Sequence, residues 1–184
     1  MDTRHIAVAV VFGICGALSA THLLSSGRLT FPNRVPTMLP VPFALLCALL
    51  FLHKLRAVLA VPLIIAVWPI AYYASFYLGL VSGPLLFPAC VGGFIGGLGL
   101  VLCVSVCYRP LLSAEYVFRG AKIGAVSALA FVPWLWSFFA NLNSGDPPQW
   151  LLTGAFAIWQ AAVGTYLYAI CYRADYETKT TDSS

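Results

Sequence analysis

Long stretches without an ionised side chain most constrain what this chain can fold into. Five such intervals contain 23, 19, 52, 23 and 26 residues. They lie between Arg4 and Arg28, Arg34 and Lys54, Arg56 and Arg109, Lys122 and Asp146, and Asp146 and Arg173. A helix needs about 20 apolar residues to cross a bilayer, and an ionised group at its centre costs at least about 2.5 kcal/mol. The intervals therefore predict membrane-spanning helices.

The longest interval predicts two spans rather than one. As a single helix, its 52 residues would measure roughly 78 Å, more than twice the hydrocarbon thickness of about 30 Å. The turn-forming cluster Ser82-Gly83-Pro84 lies near its middle, where the chain can fold back. Six spans result: His5–Leu24, Met38–Leu52, Ala57–Leu80, Leu85–Tyr108, Ala121–Ala140 and Trp150–Tyr172.

Composition argues against a water-soluble particle. Hydrophobic residues make up 61% of the chain and charged residues 9%, whereas soluble domains carry about 25% charged residues. No connection between spans is long enough to bury a core of its own. We therefore predict an all-α, polytopic transmembrane helix bundle in which residues 1–184 form one domain, with the lipid bilayer as its partner and with no nucleic-acid partner.

The distribution of Lys and Arg predicts the orientation of the bundle. An N-terminus in the cytoplasm places eight of the ten cationic residues on the inner side and leaves Arg28 and Arg34 outside. An even number of spans returns the C-terminus to the cytoplasm, in a plasma or inner membrane. The polar segment 174–184 lacks periodicity, so we expect a short disordered cytoplasmic tail there.

Five spans are the alternative to six, and the two interpretations differ in the second span. It is the shortest, and Pro40 and Pro42 crowd its start. Proline removes a backbone donor and favours an irregular or tilted entry. In the alternative, this segment enters the membrane and returns on the same side.

A glycine-rich segment of the fourth span predicts close helix packing. Gly92 and Gly96 form one small-xxx-small register, and Gly93 and Gly97 form a second on an adjacent face. Helix backbones approach closely at such positions. The neighbour is either another helix of this chain or, through self-association or a membrane-protein partner, a helix of another chain.

Aromatic residues concentrate toward the predicted outer half. Part of this enrichment is typical of the interfacial belt, but Trp68 and Tyr72 should lie deeper, where an indole N–H or a phenol requires a partner. Belt and packing are one interpretation, and an aromatic ligand pocket among spans three, five and six is the other. The candidate pocket residues are Trp68, Tyr72, Tyr73, Phe76, Trp134, Trp136 and Trp159.

Catalytic, metal and cofactor sites find little support. None of the six acidic residues falls inside a predicted span, where proton relays and ion-coupling sites normally need one. Glu115 precedes Arg119 by four residues, which predicts a helical ion pair. We therefore name no catalytic residue, no metal ligand and no cofactor.

The tripeptides Cys107-Tyr108-Arg109 and Cys171-Tyr172-Arg173 end the fourth and sixth predicted spans. An interfacial tyrosine followed by a stop-transfer arginine accounts for both. Acylation of the two juxtamembrane cysteines is the alternative.

Three functions remain open. The first is a membrane protein that binds or transports a small or lipophilic ligand in the aromatic pocket. The second is an accessory or assembly subunit that packs on a larger complex through the glycine face of the fourth span. The third is a membrane-embedded redox protein or other enzyme.

Overall fold

A computed structural model provides the structure of the protein. It describes residues 3–25, 40–51, 57–82, 86–106, 108, 113–140 and 149–181. Helices account for nearly all of this part of the chain: α1 (Thr3–Ser25), α2 (Pro40–Phe51), α3 (Ala57–Ser82), α4 (Leu86–Ser105), α5 (Ala114–Ser127), α6 (Val132–Ala140) and α7 (Gln149–Thr181). The described residues contain no strand, and the prediction of an all-α chain is confirmed.

In the described part of the chain, four helices are long and apolar enough to cross a membrane. Their apolar segments are Thr3–Thr21, Val58–Ser75, Leu86–Ser105 and Gln149–Ala174. The second predicted span corresponds to α2, which has 12 residues; at about 1.5 Å per residue it is roughly 18 Å long, well short of the hydrocarbon thickness. The fifth predicted span is divided into two shorter helices, α5 and α6.

The division of the fifth predicted span has its cause in Pro133. A 3-10 turn at Ala128–Phe131 separates α5 from α6, and the backbone N–H of Val132 donates to the carbonyl of Leu129. In an uninterrupted α-helix the residue four positions after Leu129 would be the donor, but that residue is proline and lacks an N–H. The tighter bond from Val132 satisfies the carbonyl instead.

The start of α5 lies closer to the N-terminus than predicted. Ser113 caps this helix by accepting a hydrogen bond from the Tyr116 N–H at 3.4 Å. Glu115 lies in the first turn, and its carboxylate accepts a hydrogen bond from Arg119 at 2.9 Å. The expected ion pair is confirmed.

The C-terminal segment differs from the expectation of a disordered tail. Helix α7 continues to Thr181, so residues 174–181 prolong the last predicted span, while residues 182–184 lie outside the described part of the chain. Ala174, Glu177 and Lys179 have good intrinsic helix propensity. A helix already nucleated by the preceding turns can extend through such residues at little cost.

Helices α1 and α7 pack against each other in antiparallel directions. Near one end, the rings of His5 and Tyr168 are 6.0 Å apart. Further along α1, Gly16 approaches the backbone of Phe156 so closely that an added Cβ would overlap its carbonyl. The beginning of α1 and the C-terminal part of α7 therefore lie at the same end of the bundle.

Candidate functional site

The glycine pair Gly93 and Gly97 on α4 faces the glycine pair Gly120 and Gly124 on α5. A Cβ on Gly97 would overlap the carbonyl of Gly120, and a Cβ on Gly93 would overlap the carbonyl of Gly124. At this crossing, backbone lies directly on backbone, a contact that small residues alone permit. The second glycine pair on α5 was not singled out from the sequence, although its spacing of four provides the same signal.

The other two glycines of the predicted packing face, Gly92 and Gly96, face different neighbours. Gly92 lies against Ser75 of α3, whose hydroxyl donates to the carbonyl of Pro88 at 2.7 Å. Gly96 lies against the indole of Trp159. All four glycines of the predicted packing face are buried, so helices of the same chain occupy this face.

Six aromatic rings meet where α1, α2, α3 and α7 converge. We call them the aromatic cluster: Phe12, Phe43, Trp68, Phe131, Phe156 and Trp159. The indole of Trp68 stacks on Phe156 with centroids 5.8 Å apart and planes 16° apart, and it meets Trp159 edge to face at 5.1 Å. Phe43 links this group to Phe12 at 5.2 Å. The ring contacts connect these four helices and, through Phe131, the 3-10 turn at Ala128–Phe131.

Of the seven predicted pocket residues, Trp68 and Trp159 belong to the aromatic cluster. Tyr72 and Tyr73 contact each other on α3, with ring centroids 5.7 Å apart. On α6, Trp134 is partly buried and Trp136 is 69% exposed. The side chain of Phe76 lies outside the described residues.

Gln160 of α7 is the polar side chain that sequence reasoning missed. It is fully buried, at 0% exposure, and neither its amide nitrogen nor its carbonyl oxygen has a hydrogen-bond partner among the described residues. The indole nitrogen of Trp68 is buried in the same unpartnered way. Burying such a group without a partner costs roughly 1–3 kcal/mol.

The position of Gln160 on α7 places it beside the aromatic cluster. It follows Trp159 in sequence and lies one helical turn from Phe156, and residues at that spacing share a helix face. One turn further on, Gly164 packs against the ring of Phe12. Gln160 therefore lies on the face of α7 that meets α1.

Several hydroxyl side chains of α1 and α7 are satisfied within their own helix. The hydroxyl of Ser19 donates to the carbonyl of Cys15 at 2.7 Å, and that of Thr165 donates to Ala161 at 2.6 Å. Hydroxyl groups commonly bond the preceding turn in this way. Gln160 has no such bond among the described residues, and one sequence signal was available: it is the single Asn or Gln inside a predicted span.

The surroundings of the aromatic cluster are uncharged. Helix α1 after Arg4, α2, α3, and α7 before Arg173 contain no Asp, Glu, Lys or Arg. Within the described part of the chain, no three His, Cys, Asp or Glu side chains converge as metal ligands would. Cys171 is 1% exposed, whereas Cys107 lies outside the described residues. The arrangement offers neutral hydrogen bonding and aromatic surface.

Comparisons with known proteins give no relative. No protein-family model matches this chain, and no curated protein or solved structure is significantly similar to it.

Proposed function

We propose that this chain is a multi-pass integral membrane protein that binds a small lipophilic ligand inside its helix bundle. The ligand would lie among α1, α2, α3 and α7, against the aromatic cluster, and would hydrogen-bond to Gln160. The observation that carries this proposal is the fully buried carboxamide of Gln160, whose two polar atoms are unpartnered among the described residues. Sites for small molecules commonly combine an apolar, aromatic lining with a few such polar groups.

This location differs from the pocket expected from the sequence. That expectation centred on spans three, five and six, and the proposal keeps Trp68 and Trp159 but moves the site toward α1 and α2. Phe12 and Phe43, both fully buried, supply the aromatic surface on that side. Trp136 plays no part in the proposed site because it is 69% exposed on α6.

The proposed topology has six crossings and both termini in the cytoplasm of a plasma or inner membrane. The antiparallel packing of α1 on α7 supports termini on one side, and the excess of cationic residues in the inner loops supports the cytoplasmic side. The short helix α2 would cross with local thinning of the bilayer or with help from its flanking residues. Helices α5 and α6 would together form one crossing.

Reporter fusions test the topology. Two reporters are used: alkaline phosphatase is active only outside the cytoplasm, and green fluorescent protein is fluorescent only inside it. Each reporter is fused in turn to the N-terminus and to the C-terminus, and is inserted between residues 143 and 144 in a third variant. We expect fluorescence at both termini and phosphatase activity at the insertion. Termini that report opposite sides would exclude an even number of crossings.

Thermal stability tests ligand binding. Purified protein in detergent is heated with naphthalene, naphthoquinones, aromatic amines and aromatic amides in turn. A ligand that binds only the folded state raises the melting temperature, and we expect at least one class to do so. The increment should shrink in Gln160→Met and persist in Gln149→Met, where the same replacement is made at an exposed position. If no class stabilises the wild type, the proposal fails.

A further inference from the structure

The carboxamide of Gln160 presents a donor and an acceptor side by side on one planar group. Both atoms are buried and unpartnered among the described residues. A single ligand group satisfies both at once if it carries an acceptor beside a donor in the same plane, as a cyclic amide does. We propose that the ligand is a neutral, planar cyclic amide, whose C=O accepts from the Nε2 of Gln160 and whose N–H donates to its Oε1.

This inference rests on the proposed function and adds the chemical class of the ligand. The neutral character follows from the four helices around the site. Helices α2 and α3 carry no Asp, Glu, Lys or Arg, and neither does α1 after Arg4 or α7 before Arg173. A charged ligand would leave water with no opposite charge to compensate it. A neutral amide makes the same two hydrogen bonds without that cost.

The planar character follows from the rings beside Gln160. Trp68 and Phe156 are nearly parallel, at 16°, while Trp159 stands at 76° to Trp68. Flat ring systems match such surfaces through offset-stacked and edge-to-face contacts. The unpartnered indole N–H of Trp68 is a further buried donor in the aromatic cluster.

Ligands with acceptors alone fit the site less well. A quinone can accept from Gln160, yet it leaves the Oε1 of the carboxamide without a donor. Sites that hydrogen-bond a ligand N–H discriminate strongly against analogues that lack it, because the buried protein group then stays unpaired. The N–H of the ligand is therefore the feature that distinguishes this class from other flat lipophilic compounds.

Two probes that differ only in this N–H provide the test: carbostyril, a bicyclic lactam, and N-methylcarbostyril. Naphthoquinone and naphthalene serve as acceptor-only and purely apolar probes. Dissociation constants are measured by equilibrium dialysis on purified wild type, on Gln160→Met and on Gln149→Met. Thr165→Val is a second control, measured in the same way, because it removes a polar group of α7 that already has its hydrogen-bond partner. Thermal melting of each variant verifies that it is folded.

Carbostyril should bind wild-type protein at least about tenfold more tightly than its N-methyl derivative, which corresponds to about 1.4 kcal/mol. Gln160→Met should abolish this preference, and both Gln149→Met and Thr165→Val should retain it. Equal affinity for the two lactams, or a preference that survives in Gln160→Met, would overturn the inference. If the inference fails in this way but naphthoquinone binds wild-type protein more tightly than Gln160→Met, the proposed function stands; if no probe binds, both fall.

Discussion

Trp68 of α3 and Trp159 of α7 meet edge to face, with ring centroids 5.1 Å apart and ring planes at 76°. Gly96 of α4 also lies against the indole of Trp159. Trp159 therefore contacts both α3 and α4, and it connects the aromatic cluster to the glycine face of α4. Close backbone packing and the proposed ligand site are parts of one interior.

The crossing of α4 and α5 predicts opposite effects for the same substitution at two glycines. Gly97→Ala should lower the free energy of unfolding by about 1–3 kcal/mol, since its methyl group would overlap the carbonyl of Gly120. Gly154→Ala should be neutral or stabilising by up to about 1 kcal/mol, because a Cβ there meets nothing within 4 Å. SDS titration in mixed micelles measures both. Equal losses would contradict the crossing.

The burial of Trp159 predicts a large effect of its removal. Trp159 is 6% exposed, and Trp150 on the same helix is 72% exposed. We expect Trp159→Ala to lower the free energy of unfolding by about 3–5 kcal/mol, since it empties the centre of the aromatic cluster. Trp150→Ala, the matched control, should change it by less than about 1 kcal/mol. Similar values for the two variants would show that the cluster contributes no packing energy.

The unpartnered carboxamide predicts that ligand-free protein gains stability when Gln160 is replaced. Gln160→Met keeps the length of the side chain and removes both buried polar atoms, so the free energy of unfolding should rise by about 1–3 kcal/mol. Gln149→Met, at an exposed position, should stay within about 0.5 kcal/mol of wild type. A loss of stability in Gln160→Met would mean that the amide is already well satisfied, which also speaks against its role in ligand binding.

A hydrogen bond between α7 and α5 predicts a smaller effect. The hydroxyl of Tyr166 donates to the backbone carbonyl of Tyr116 at 2.8 Å. Tyr166→Phe should lower the free energy of unfolding by about 0.5–1.5 kcal/mol, the usual net value of one neutral hydrogen bond. Tyr172→Phe is the control, because Tyr172 is 54% exposed. SDS titration in mixed micelles measures the free energy of unfolding of both variants. A free energy of unfolding in Tyr166→Phe equal to that of wild type would contradict this hydrogen bond.

The helices and most of their limits were predictable from the amino-acid sequence. Exclusion of charge from hydrocarbon acts on each segment separately, so α1, α3 and α4 lie within a few residues of the predicted spans. Local chemistry also predicted the pair of Glu115 with Arg119. These features depend on neighbours in the chain and on the surrounding medium.

The helix faces that contact each other became known from the tertiary packing and were not predictable from the sequence. Apolar residues lie on every side of α2, α3 and α4, so no amphipathic stripe marks the face of these helices that packs inward. The contacts of Phe12 with Phe43, and of Gly97 with Gly120, join side faces of different helices. Gln160 could be noticed in the sequence as a polar residue within a span, but its lack of a partner depends on every helix packed around it.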